Sequence, residues 1–543
     1  MTPERLGIGI DLGSSAVRIG LYDVETDELL KYSLRRVRYY THDSEKVTQS
    51  TAEIMQAIYA AFTDLGNEMD NVVSCGVAAT CSLAAFTYRD GKYSPIPVYR
   101  TNATSKDIQN VVFWMDRSAK NETHRLNEVC LDVTHFMGGG FIPEMGIPKL
   151  MKLIENLPQG DLQFAVLDLH QYIAFELGRK FGWNTTRTSN SPNTNGIGHD
   201  GELSGWSKEF YKKKLKLPAK VNIGPYPQPL TDSRVTVSSC IDCYANWFGA
   251  CPSQPETSLF LAAGTSTCYL RASKNSAFIP GIWGPFTNIL ESETHGSFNV
   301  YEAGQSCTGK FFEYLFEVHP AARDYKGDPA RLFEDLEKSC LKIEKVTGRS
   351  VHFAAKGIFT YGELQGNRTP YCDPAMSGVF MGITPDVSFK NLTLQYIAAI
   401  EFLAFEVKEM TLQLGNEIDY LIVVGSQAKN KRLLSLISLI NNDIDVKISE
   451  KPPSLIGIRG AYLLGKASRQ NRTVLDVIRE QQNETKLLQL AKSSINHKEK
   501  PFLKELMEVK YEIHLEIAQT QRKFRSMINA ISSQPWRSFL IKQ

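Results

Sequence analysis

The sequence predicts an α/β fold in which two related domains close on a cleft, followed by a helical appendage. Two stretches roughly half a chain apart, together with the chain length, carry that expectation. Residues 8–23, IGIDLGSSAVRIGLYD, place alternating apolar runs on either side of Gly13-Ser14-Ser15, the pattern of a β-hairpin with one buried face. Residues 258–271, SLFLAAGTSTCYLR, repeat it: an apolar strand, then Gly264-Thr265-Ser266-Thr267, then a second strand. At 543 residues the chain exceeds what one hydrophobic core holds, so two large domains plus an appendage are expected.

The hairpin tips carry the chemistry. Gly13 permits a tight turn, and Ser14 and Ser15 offer hydroxyls and N–H groups to an anionic oxygen. Asp11, just before the turn, is placed to hold a hydrated Mg²⁺ against that anion. Taken alone, this stretch reads equally as an ordinary hairpin with a polar tip. Aligning Gly13 with Gly264 sets Ala262 opposite Asp11, so the second turn keeps the hydroxyls and loses the acid. One acidic and one neutral hydroxyl-rich hairpin is the layout of the actin, sugar kinase and Hsp70 class of ATP-binding folds. A Walker-type GxxxxGK[ST] loop does not occur.

Composition narrows the class. Hydrophobic residues make up 42% and charged residues 22%, as in an ordinary globular protein, and the formal net charge of +2 argues against an extended nucleic-acid surface. The ten cysteines show no paired metal-ligand spacing and read as reduced thiols. Cys240 and Cys243 form a CxxC in letters, but no second pair follows. Neither a secretory leader nor an apolar run of membrane-spanning length is found, so a cytoplasmic protein is expected.

In chain order, 51–65 reads as a helix with Ile54, Ile58, Ala61 and Phe62 on one face, and 72–78 as an apolar strand. Residues 111–116 read as a buried strand ending in Asp116, which either faces a ligand or caps a helix starting at Arg117. Glu144, after the turn Gly138-Gly139-Gly140, either binds a hydroxyl ligand or complements a helix dipole. Residues 185–205 read as an exposed loop, and the lysines at 212–216 as a solvated face. Asp242 precedes a helix at the domain seam, between the two hairpins, and is the best general-base candidate, although a helix cap uses the same residue type. Residues 362–374 are dense in turn formers. A long helix with Ile397, Ile400, Ala404 and Val407 on one face follows, then a strand at 420–424 running into Gly425-Ser426. Beyond 471 an apolar stripe of Leu506, Val509, Ile513, Ile517, Phe524 and Met527 predicts a helix packed on the body.

These segments resemble the FGGY carbohydrate kinase family over nearly the whole chain, most closely its D-ribulokinase-like branch. The matching stretches include GIDLGSSAVR (9–18), AATCSL (78–83), WMDRSA (114–119), EMGIPKL (144–150) and IDCYA (241–245). Further on they include AAGTST (262–267), PGIWGPF (280–286), EAGQSCTGK (302–310), GNRTPYCDP (366–374) and VVGSQAKN (423–430). The resemblance implies two ribonuclease-H-like domains hinged around a cleft and transfer of the ATP γ-phosphate to a pentulose hydroxyl, with D-ribulose as the expected acceptor. By residue it implies Asp242 as catalytic base and Asp11 near Mg²⁺. Ser14, Ser15, Arg18, Gly264, Thr265 and Ser266 would surround the phosphates. Gly425, Ser426 and Asn430 would flank the adenosine, and Thr80, Asp116 and Glu144 would line the sugar site. The expected division is 1–252 for sugar and phosphate, 253–471 for nucleotide, and 472–543 as a helical extension. The expected partner is a small-molecule sugar, with neither nucleic acid nor membrane, and a homodimer stays open.

The sequence departs from the branch at several points. Ala78 replaces an Asp, Ser118 an Arg, Ala303 a Gly, Ser426 a Gly and Ala428 a Ser, and Lys152 stands where an aromatic is common. These departures motivate an alternative, a catalytically weak or inactive scaffold with a regulatory or interaction role. An actin- or Hsp70-like ATPase shares only the two hairpins.

Overall fold

The computed structural model describes residues 5–66, 68–99, 108–157, 162–185, 210–224, 233, 235–415, 417–481 and 488–532. Two sheets carry the same strand plan. In the first, Leu6–Leu12, Ala16–Asp23 and Leu29–Arg36 form an antiparallel meander, and Val72–Ala79 and Thr236–Ile241 continue it in parallel. In the second, Ser258–Ala263, Thr267–Ser273 and Gly296–Gln305 form the meander, and Tyr420–Val424 and Asp445–Ser449 the parallel side. Trp283–Ser292 lengthens one edge of this second sheet and Leu488–Leu490 the other, so the segment after 471 contributes a strand as well as helices. A third sheet, of short strands including Val47–Gln49, Leu83–Arg89 and Val111–Val112, belongs to the first half. The alternating pattern of the first hairpin buries Ile8, Ile10 and Ile19 completely.

The halves interlock. Helix Ile456–Gln470 lies in the chain between strands Asp445–Ser449 and Leu488–Leu490 of the second sheet but packs against the first. Its approach explains glycines inside central strands, where they ordinarily weaken a sheet. A Cβ on Gly9 would fall 1.9 Å from the Ile458 carbonyl oxygen, and one on Gly76 would fall 1.7 Å from that of Ala461. Arg459 adds a hydrogen bond of 2.6 Å to the Gly249 carbonyl.

The helices Thr51–Leu65 and Phe389–Leu414 and the strands Val72–Ala79 and Tyr420–Val424 form where the periodicity predicts them. The predicted strand 111–116 is shorter: pairing stops at Val112, because the chain turns at once, with the Asp116 N–H donating to the Phe113 carbonyl at 2.9 Å. The next helix starts at Lys120, not Arg117, and Asp116 does not cap it. The expected loop at 185–205 lies, from 186 on, outside the described residues. Lys212, Lys213 and Lys214 are exposed, as a solvated face requires.

Helix Lys500–Ser532 packs on the body through a face that overlaps the predicted stripe in part: Ile517 is buried, and Leu506 and Ile513 are partly buried against the same core. Val509, Phe524 and Met527 are exposed, whereas Leu503, Met507, Lys510, Tyr511, His514 and Ala518 are buried. An apolar pattern misses Lys510 and His514, since their burial depends on Glu401, Glu406 and Glu409 across the interface. None of the ten cysteines forms a disulfide, and no helix among the described residues is long and apolar enough to cross a membrane.

Candidate functional site

Both hairpin tips open into one cavity of about 210 Å³ between the two duplicated sheets. Ser14 comes from the first tip, and Gly264, Thr265 and Ser266 from the second. Asp242 reaches the cavity because strand Thr236–Ile241 ends beside the first hairpin's sheet partner and breaks directly into helix Asp242–Ala250. Thr80, Glu144 and Gly425 complete the predicted residues on its wall.

The tips are braced from behind. Trp114 donates its indole N–H to the Ser14 hydroxyl at 2.9 Å, and Lys149 fixes that tryptophan through hydrogen bonds to the Phe113 and Trp114 carbonyls. On the other side, Thr308, Gly309 and Lys310 donate backbone N–H groups to the carbonyls of Gly264 and Thr265 at 3.0–3.1 Å. Gly13 does not take a positive φ, and a Cβ there would meet nothing closer than 3.8 Å. The expected tight turn is present, the Gly13 N–H donating to the Ala16 carbonyl at 3.1 Å, but it does not need glycine's left-handed backbone; the lack of a side chain leaves the tip open. Gly425 does need to be glycine, with φ 91° and the Ala263 carbonyl oxygen 2.4 Å from where a Cβ would stand.

Electrostatically the site is rich in acid. Burial pushes the Asp242 carboxyl up to about 7, with the charges of Asp11 and Glu302 adding to the effect and backbone N–H groups opposing it. Asp11 sits behind the cavity wall, 3.6 Å from Arg18, and burial pushes it up to about 6 against that guanidinium. One Asp11 oxygen is buried without a partner, a donor chemistry that fits a cation, although the residue is not among those lining the cavity. In strand register Asp11 pairs with Arg18, and the matching pair in the second hairpin is Ala262 with Cys268.

Other predicted residues are not brought to the cavity. Ser15 is exposed and Ser426 is exposed, while Asn430 spends its side-chain oxygen on the Leu433 N–H, 3.1 Å away, as a helix cap. Asp116 is fully buried and faces away: it accepts from the Val47 N–H, the Tyr99 hydroxyl, and both the N–H and hydroxyl of Ser118. Its four acceptor positions are filled by the fold, leaving none for a ligand.

Arg368, Trp114, Glu302, Cys243 and Cys268 line the cavity although the sequence assigned none of them to the site. Arg368 donates through Nε to Glu144 Oε2 at 2.6 Å, tying the second half's turn-dense loop to the first half, and its guanidinium lies 5.5 Å from the Trp114 ring. Cys243, Cys268 and Glu302 bring two thiols and a carboxylate within 4.8 Å of one another beside Asp242. Each of these residues stands inside a quoted motif, but their partners lie far along the chain and no local spacing announces them.

Comparison with known proteins agrees with this architecture. Residues 259–467 match the model of the FGGY family of carbohydrate kinases, C-terminal domain. The chain is 42% identical to Protein MPA43 of Saccharomyces cerevisiae over 97% of its own length and 98% of that protein's. It is 30% identical to D-ribulokinase YDR109C of the same organism, over 79% of this chain and 67% of that one. Among solved structures, Plasmodium falciparum glycerol kinase with ADP superposes with a TM-score of 0.67 at 14% identity, covering 94% of this chain and 98% of the other. The duplicated sheets, the shared cavity and these likenesses together place the chain in the FGGY family of carbohydrate kinases.

Proposed function

We propose that this sugar kinase transfers the γ-phosphoryl group of ATP to the terminal hydroxyl of a pentulose, D-ribulose being the acceptor that its D-ribulokinase relative favours. The observation that carries the reading is the single cavity in which Asp242 stands between two hydroxyl-bearing turns.

In this reading Ser14, Thr265 and Ser266 hold phosphate oxygens, with Gly425 giving the nucleotide's backbone-close approach. Arg368 and Glu144, fixed to each other, present a charged edge to the sugar hydroxyls beside Thr80. A sugar hydroxyl is a weak nucleophile, so the reaction depends on alignment and on a base that collects the proton late. Asp242 accepts that proton as the new O–P bond forms and the bond to the departing ADP breaks; a carboxyl pushed up to about 7 is a stronger base than an exposed one. Mg²⁺, held near Asp11, would neutralise phosphate charge. The assignment of 1–252 to sugar and phosphate, 253–471 to nucleotide and 472–543 to an extension is part of the same proposal.

The inactive-scaffold alternative draws on the departures from the family pattern. Ala78 is buried in its strand, Ser118 completes the Asp116 turn, and Ser426 has no positive φ. None of them takes away a cavity residue that phosphoryl transfer needs.

The test is ADP release from ATP with Mg²⁺ across a panel of pentuloses, polyols and glycerol. D-Ribulose is expected to give turnover that falls ~10²–10⁴-fold in Asp242→Asn. A folded protein that binds ATP and phosphorylates no sugar would favour the scaffold.

A further inference from the structure

Away from the cavity, helix Phe389–Leu414 and helix Lys500–Ser532 enclose a second set of ionisable groups. Glu406 and Glu409, one turn apart on the first helix, face His514 on the other, and the three are 1%, 5% and 3% exposed. His514 Nε2 lies 3.4 Å from Glu406 Oε1 and 3.8 Å from Glu409 Oε2. A charge-assisted N–H···O hydrogen bond would close to about 2.7–2.9 Å, and all of these atoms lack a hydrogen-bond partner. Two ligands of a tetrahedral cation, each about 2.0–2.2 Å from it, stand about 3.4 Å apart. The three donors are spaced as a shared cation would space them.

Other buried groups in electrostatic reach of the three are unsatisfied as well. The Glu363 side chain leaves Oε2 without a partner at 0% exposure, and the hydroxyls of Tyr361 and Tyr269, at 0% and 1%, are also unpartnered. The Tyr361 ring lies 5.1 Å from the His514 ring, and both tyrosines feel the charges of Glu406, Glu363 and Glu409. Buried polar atoms are almost always satisfied, so this group of orphans needs water or a bound ion to complete it. Tyr371 donates to the other oxygen of Glu409 at 2.9 Å, orienting that carboxylate as outer-shell partners of metal ligands do.

We infer that Glu406, Glu409 and His514 bind a divalent transition-metal cation that fastens the C-terminal helix to the body of the protein. The donor set has one imidazole, two carboxylates and no thiolate, which selects Zn²⁺ or Mn²⁺ over a soft ion such as Cu⁺. The cation serves structure: its ligands lie outside the residues lining the cavity, and the reaction proposed above does not involve it.

The test uses the full chain without a polyhistidine tag. Elemental analysis of the purified protein is expected to find about one equivalent of Zn²⁺ or Mn²⁺ per chain. Stripping with a chelator is expected to lower Tm by about 5 °C or more, and Zn²⁺ or Mn²⁺ to restore it where Mg²⁺ does not. His514→Ala and Glu409→Gln are expected to lose the equivalent, whereas Asp11→Asn and Cys268→Ser retain it. If the variants do not fold, the stripping and restoration of the unaltered chain decide alone. No bound transition metal together with an unchanged Tm on adding one would overturn the inference, leaving an imidazolium between two carboxylates. Loss of the metal in Cys268→Ser but not in His514→Ala would overturn it too, moving the ion to the thiols of the cavity.

Discussion

Asp242 and Asp11 are carboxyls whose surroundings penalise their charge, and that penalty makes the folded chain sensitive to pH. An unfolded aspartate titrates near 3.8, whereas Asp242 in the fold titrates near 7. The folded state therefore binds this proton more tightly, a stabilisation complete below about 3.8 and lost as pH rises through about 7. Without Mg²⁺ or nucleotide, Asp242→Asn should match the parent Tm near about pH 4 and exceed it by about 2 °C or more near about pH 8. Thermal melts at the two pH values check this; an equal shift at both would mean that charge burial is not the cause. Arg368 and Glu144 give a second prediction at this scale. Their side chains are 9% and 7% exposed, so Arg368→Met strands a buried carboxylate, a loss of about 3–5 kcal/mol where nothing relaxes. Steady-state kinetics should show the sugar KM rising about tenfold or more with the ATP KM nearly unchanged. A rise confined to the ATP KM would move this pair away from the sugar.

At the level of elements, the contacts between helix Ile456–Gln470 and the first sheet rest on backbone meeting backbone. Gly76→Ala would push a methyl group into the Ala461 carbonyl, which cannot rotate aside as a side chain can. A loss of about 1–3 kcal/mol is expected, read as a lower denaturant midpoint at unchanged slope. Gly66→Ala, at a helix end where nothing lies within 4 Å, tests a different effect, the strain of its φ of 94° alone. These elements also show what a sequence displays and what it hides. Both hairpins and the strand into Gly425 were legible because each is a local apolar run ending in small or polar residues. The buried face of the C-terminal helix was legible only at Leu506, Ile513 and Ile517: Lys510 donates to the carbonyls of Ala355 and Ile358 and pairs with Glu401, partners more than 100 residues away. Asp116 misled for the related reason that its spacing at a strand end fits a ligand site, while the Val47 N–H and Tyr99 hydroxyl that occupy it come from other strands and loops.

Over the whole molecule, one mechanical path joins the far end of the chain to the cavity. Arg522 and Arg525, near the end of the described C-terminal helix, both reach Asp373, and Gln521 accepts from the Ser377 N–H at 3.0 Å. Asp373 and Asn367 exchange backbone hydrogen bonds of 2.9 and 3.0 Å across the loop that carries Arg368. Arg368 then crosses to Glu144 in the first half, so helix, loop, cavity and opposite domain form one chain of contacts. The arginines are partly exposed, at 44% and 30%, so each contact adds little to global stability. Their effect should instead be local. Replacing both arginines by alanine is expected to leave Tm within about 2 °C while amide exchange in 363–376 speeds up and the sugar KM rises about three- to tenfold. Hydrogen-exchange mass spectrometry and steady-state kinetics on one preparation read both. Faster exchange with an unchanged KM would show that the helix orders the loop without setting Arg368. A raised KM with unchanged exchange would place the effect on the arginines' own charge rather than on the loop they hold.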